Sequence, residues 1–101
     1  MDTLEKKFFR DMQDIYRRAD RECGYRATRF LQMLAEKGAV ETAISLVSKP
    51  GGTEGFARLW EMNRLDLSVE ALVLKDEYRG MFSDDLLETA EKRLKEYGYT
   101  L

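Results

Sequence analysis

The chain predicts an all-α protein, one compact bundle of five to six short helices with no sheet. Three observations lead there. Apolar residues recur at spacings of three and four, the period of a helix with one buried face. The breaks fall at glycines and at the lone proline, Pro50, which suits short helix connections. The one strand-like run, Leu72-Val73-Leu74, has no second run to pair with.

The first helix is marked by Leu4, Phe8, Met12, Ile15, Ala19 and Cys23, with Phe9 and Tyr16 widening its apolar stripe. It should stop near Cys23-Gly24, since glycine commonly follows a helix end. A second helix is expected from Tyr25 to Lys37, with Phe30, Met33 and Leu34 inward and a stop at Gly38. A third covers Val40 to Val47, where Val40, Ala43, Ile44 and Val47 share a face. Lys49-Pro50-Gly51-Gly52 is the clearest interruption, because proline lacks an amide donor and glycine lacks side-chain constraint.

Thr53 then reads as an N-cap, its hydroxyl placed to accept an amide of the next turn. Phe56, Leu59 and Trp60 carry a fourth helix into the core, with Trp60 as its anchor. It ends near Asn63, a residue that tolerates left-handed backbone. Asp66 or Ser68 can cap a fifth helix that holds Val69, Leu72 and Val73. Residues 76–82 make a short helical turn with Tyr78, Met81 and Phe82 inward. Ser83-Asp84-Asp85 is a strong start for the last helix, a hydroxyl cap followed by acids that favour the positive end of the helix dipole. Leu86, Leu87, Ala90, Leu94 and Tyr97 continue it to Gly98.

Composition narrows the function. A chain of 101 residues fits one domain and buries enough surface to fold without a metal or disulfide staple. Cys23 is the only cysteine, so no internal disulfide and no cysteine-rich zinc site can form. There is no histidine, the commonest general base and transition-metal ligand, so Ser-His and Cys-His nucleophile pairs are absent. Carboxylates and lysine can still support chemistry, but no catalytic constellation stands out, and no cofactor, metal or catalytic residue is assigned. No apolar run is long enough to cross a membrane, and the first residues alternate charge and bulk, unlike a secretory signal. A cytoplasmic location is the expectation.

Net charge is −2 and uneven. Residues 1–37 hold nine Lys/Arg against seven Asp/Glu, and residues 38–101 hold eight against twelve. That is far from the strongly basic profile of a dedicated nucleic-acid binder.

The best lead is a basic stripe on the first helix. At about 100° per residue, Lys6, Arg10, Arg17 and Arg21 lie within about 60° of one another, opposite the apolar stripe. Arg18 sits at its edge, and Arg26 and Arg29 follow. A guanidinium fork suits phosphate or carboxylate. The competing reading is a solvated face, in which Asp14 pairs with Arg17 and Arg18 along the helix surface. A secondary polar edge is expected where Glu61, Arg64, Asp66 and Glu70 cluster among apolar residues, most simply with Arg64 bridging helix ends.

Residues 53–74 have the outline of a helix-turn-helix, yet the second helix offers Asp66 and Glu70 where a base-reading helix would want arginine or asparagine. Lys49 to Thr53 lacks the Gly-Lys-Ser/Thr ending of a phosphate loop. Asp84 and Asp85 point to different sides of a helix, which argues for a helix start over a metal site. If Phe8, Phe9, Met12 and Tyr16 outrun the core, the excess would mark a partner surface.

Several blocks also match a wider pattern: Tyr25, Phe30-Leu31, Met33-Leu34 and Gly38; Gly55-Phe56, Leu59-Trp60-Glu61; Arg64-Leu65-Asp66-Leu67-Ser68-Val69-Glu70-Ala71-Leu72-Val73-Leu74; Phe82; and Tyr97-Gly98-Tyr99. Over about residues 12–99 the chain resembles an uncharacterised family of small bacterial helical proteins. The resemblance implies a helical fold, a bacterial origin and a link to mobile-element, restriction or nuclease neighbourhoods. It brings no activity, cofactor or catalytic residue. The function expected is a helical interaction module, an adaptor or regulator that binds a protein partner or itself and is steered by exposed arginines of the first helix. The alternative is a nucleic-acid-associated accessory protein that uses those arginines on phosphates.

Overall fold

The computed structural model describes residues 3–100. Among them the chain forms six α-helices, two single 3-10 turns and no strand. The expected all-α bundle is therefore the fold.

Helix α1 (Leu4–Cys23) opens on Thr3, whose hydroxyl accepts from the Lys6 amide at 3.1 Å. Its buried stripe is Phe8, Met12, Ile15 and Ala19; Leu4 precedes the core and stays exposed. Phe9 and Tyr16 are half-buried. Gly24 ends the helix at φ 68°, where its amide reaches the Asp20 carbonyl at 3.0 Å and the Tyr25 amide reaches Ala19 at 3.1 Å. Those bonds turn the chain away, so helix α2 (Thr28–Lys37) begins three residues later than the sequence suggests.

Only Gly38 separates α2 from α3 (Ala39–Ser48). At φ 81° it donates to the Leu34 carbonyl at 3.0 Å and accepts from the Thr42 amide at 3.1 Å, serving both helices through one left-handed residue. Helix α3 packs against α1, α2, α5 and α6. That central position moves its deepest stripe to Ala39, Thr42, Ala43 and Val47, leaving Val40 and Ile44 half-buried. Small side chains let neighbouring helices approach a helix that is crowded on several sides.

After the break at Pro50, the Thr53 hydroxyl accepts from the Phe56 amide at 3.1 Å and starts α4 (Glu54–Glu61). The helix closes through Asn63, the one non-glycine residue with positive φ (59°) among the described residues, and the Arg64 amide bonds Leu59 at 2.8 Å. A 3-10 turn, Leu65–Leu67, leads to Ser68. Ser68, rather than Asp66, caps α5 (Val69–Val73): its hydroxyl accepts from the Ala71 amide at 3.1 Å and donates to the Leu65 carbonyl at 2.6 Å.

A second 3-10 turn, Arg79–Met81, follows. Tyr78 beside it is fully buried, edge-on to Phe8 at 4.9 Å, and Phe8 meets Phe82 at 5.5 Å. The Tyr78 hydroxyl donates to the Asp11 carboxylate, tying this turn to α1, and burial followed by that carboxylate pushes its pKa up. Ser83 caps α6 (Asp84–Glu96) as expected, accepting from the Leu86 amide at 3.2 Å. Leu86, Leu87, Ala90 and Leu94 seal the core from this side.

Candidate functional site

The basic stripe of α1 is only partly available. Arg18 donates from Nε to Glu22 Oε2 at 2.9 Å, and Glu22 Oε1 accepts from Arg64 Nη1 at 2.8 Å. Arg64 in turn grips Asp66 with two bonds, at 3.0 and 3.2 Å. The expected pairing of Arg18 with Asp14 is thus replaced by one with Glu22, one turn further on, where Arg64 arrives from across the bundle to hold the carboxylate. Hydrogen bonds from Arg18 and then Arg64 lower the Glu22 carboxyl to about 2. Arg18 also lies in a shallow hollow of about 550 Å³ shared with Asp11, Asp14 and Asp66.

Arg21 Nη2 stands 4.0 Å from Glu22, and Arg26 Nε stands 3.8 Å from Asp20. Lys6, Arg10 and Arg17 are exposed on the same helix, and neither Lys6 nor Arg17 forms an ion pair among the described residues.

The secondary polar edge does not exist as one unit. Arg64 and Asp66 hold each other, Glu61 is exposed, and Glu70 is buried elsewhere. The partner of Glu70 is Arg93, a residue the sequence reading passed over. Arg93 Nη1 bonds Glu70 Oε2 and the Val47 carbonyl, each at 2.9 Å, while Nη2 bonds the Lys49 carbonyl at 2.8 Å. Glu70 and Arg93 are 3% and 8% exposed. One guanidinium therefore neutralises a core carboxylate and occupies carbonyls that the chain break at Pro50 leaves without helical donors. Gly52 crosses above it: a Cβ there would stand 3.4 Å from Arg93 Cδ. Burial raises the Glu70 pKa, and Arg93 partly opposes that rise. The signal for this pair was present in sequence, since Arg93 falls three residues after Ala90 and seven after Leu86, inside the apolar stripe of its helix.

Trp60 is the largest correction. The expected core anchor is 49% exposed, whereas Phe56, four residues earlier on α4, is 3% exposed. Both rings meet Tyr97 edge-on, Phe56 at 5.0 Å from inside and Trp60 at 5.4 Å from outside. Phe56 and Leu59 fill the inward face of this eight-residue helix, which leaves Trp60 at the bundle edge; Met62, two residues on at the helix end, is 46% exposed.

Between α1, α2, α3 and α4 lies an open cleft of about 620 Å³. Tyr16, Phe30 and Met33 line it together with Leu46, Phe56, Ser68 and Glu70. Tyr16 and Phe30 are parallel within 3°, with centroids 6.5 Å apart. Tyr25 closes one end against Gly55, where a Cβ would meet its hydroxyl at 3.2 Å, and the Arg58 guanidinium lies 5.5 Å from its ring centroid. Burial, then Glu54, pushes the Tyr25 hydroxyl pKa up. Arg26, Arg29 and Lys49 border the cleft.

Among the described residues, no three Cys, Asp or Glu side chains converge as a metal ion would require, and no helix is long and apolar enough to cross a membrane. Fold and surfaces together define a helical bundle with an aromatic edge and a cleft that meet at Phe56. Compared with known proteins, the chain matches no family model, no curated protein and no solved structure.

Proposed function

We propose that this protein is a helical interaction module that binds another protein through the edge formed by Trp60, Met62 and Tyr97. One observation carries the reading: the only tryptophan in the chain stands half exposed and braced by Tyr97, with an exposed methionine two residues on in the chain. Tryptophan offers a large apolar area with few rotatable bonds, so a braced ring loses little entropy when a partner covers it. Tryptophan and methionine are both enriched at interfaces, and tryptophan is prominent among the residues that dominate binding. The exposed cations of α1, Lys6, Arg17 and Arg21, would steer an acidic partner without being its main contact. Phosphate binding by α1 has weaker support, because Arg18 is held by Glu22 and faces Asp11, Asp14 and Asp66.

The test places a photo-crosslinking amino acid at position 62, in the native and the Trp60→Ala backgrounds. Adducts to a defined protein, or to a second copy, that disappear with Trp60→Ala support the interface. Adducts that persist unchanged would move the contact elsewhere. Anisotropy with mixed-sequence DNA and RNA at about 50 and about 200 mM salt tests the phosphate reading, which requires binding that collapses as salt rises.

A further inference from the structure

The cleft between α1 and α4 selects a ligand class by size, wall chemistry and charge. Its volume of about 620 Å³ suits a small organic molecule, for which pockets typically run about 300–1,000 Å³. Tyr16, Tyr25 and Phe30 line it and are half-buried, with Arg58 over one face of Tyr25 and Tyr16 parallel to Phe30, so a flat apolar group would meet the ring surface those contacts leave. The rings of Tyr16 and Phe30 share one orientation within 3°.

Charge then decides the sign of the ligand. The lining contributes Arg26, Arg29 and Lys49 against Glu54 and Glu70. Glu70 is already neutralised by Arg93. Neither Arg29 nor Lys49 forms an ion pair among the described residues, so both cations remain open to a ligand anion. A guanidinium can receive a carboxylate with two parallel bonds, while lysine adds a point charge.

We propose that this cleft binds a small aromatic anion, its ring against Tyr16, Tyr25 and Phe30 and its carboxylate at Arg29 and Lys49. The cleft shares Phe56 with the aromatic edge but takes in neither Trp60, Met62 nor Tyr97, and the proposal does not rest on the interface reading.

The test is an amide-shift titration of the full chain with naphthalene-2-carboxylate and, in parallel, its neutral carboxamide. Perturbations should gather at residues 25–30, 45–49 and 55–56, and the carboxylate should bind several-fold more tightly. Arg29→Glu/Lys49→Glu should weaken the carboxylate about tenfold, and Arg29→Gln/Lys49→Gln by less, with thermal unfolding unchanged because both side chains are exposed. Perturbations centred on Trp60 and Met62, equal affinity for the amide, or indifference to both double variants would overturn the proposal. So would silence towards naphthalene-2-carboxylate combined with binding of an acetylated Asp-Asp-Phe-Asp peptide, which would assign the cleft to a protein segment instead.

Discussion

Arg93 and Arg64 do similar geometric work in opposite environments. Arg93 joins α6 to Glu70 of α5 and to the last carbonyls around α3, with its side chain 9% exposed. Arg64 joins the turn after α4 to Glu22 of α1 and to Asp66, with its side chain 27% exposed. Water can replace the partners of Arg64 but has little access to those of Arg93. Two similar bonding patterns should therefore differ greatly in what they contribute. A buried pair is costly to break because a lone charge remains in the core, whereas an exposed pair exchanges its partner for solvent.

The largest expected effect follows from that contrast. Arg93→Ala should lower stability by about 3–5 kcal/mol in urea unfolding, because Glu70 is stranded and two carbonyls lose their donor. A loss no greater than that of an exposed arginine would erase the distinction. Next, Arg93→Met/Glu70→Leu should recover at least about 1 kcal/mol relative to Arg93→Ala, since the isolated carboxylate is gone as well. A double variant no more stable than the single one would mean that the backbone carbonyls, not the carboxylate, account for the cost.

The two carboxylates should also respond to pH in opposite directions. Glu22 is lowered from 4.5 to about 2, so its contribution is complete above its unfolded value and fades as pH falls from about 4.5 towards 2. Glu70 is raised above 4.5 by burial, so the fold favours its protonated form. Its contribution is fullest below 4.5 and declines as pH rises through the raised value. In urea midpoints taken from about pH 2 to about pH 7, Glu22→Gln should flatten the acid-side loss and Glu70→Gln the opposite slope. Slopes of the same sign at both sites would break the comparison. The smallest effect is expected for Arg64→Ala: a midpoint shift several-fold below that of Arg93→Ala, shrinking further in high salt.

These two arginines also show where sequence reading succeeds and where it runs out. Helix caps at Thr3, Thr53, Ser68 and Ser83 are local chemistry, decided by a hydroxyl three residues before the amide it accepts. Thr53 and Ser83 were accordingly expected, and Ser68 was one of two choices. Arg64 bridges to Glu22, 42 residues away, and no periodicity links the two. Glu70 was grouped with its sequence neighbours although its charge is met by Arg93, 23 residues on. Trp60 shows the same limit for apolar groups. Helical spacing puts it near Phe56 and Leu59, but whether the end of an eight-residue helix faces core or solvent depends on which neighbouring helix covers it. The cleft is a space between four helices and leaves no local trace in the chain.

The sequence by itself determined the all-α class, the breaks at Gly24, Gly38 and Pro50, and most of the inward residues. Those follow from backbone sterics, capping and a period of 3.6, all of which act within a turn or two of the chain. The tertiary structure alone decided that Arg93 and Glu70 are sealed together, that Trp60 stays outside, and that a cleft remains open between α1 and α4. Those outcomes depend on which distant faces meet, because burial, desolvation and charge pairing are set by the arrangement of helices in space.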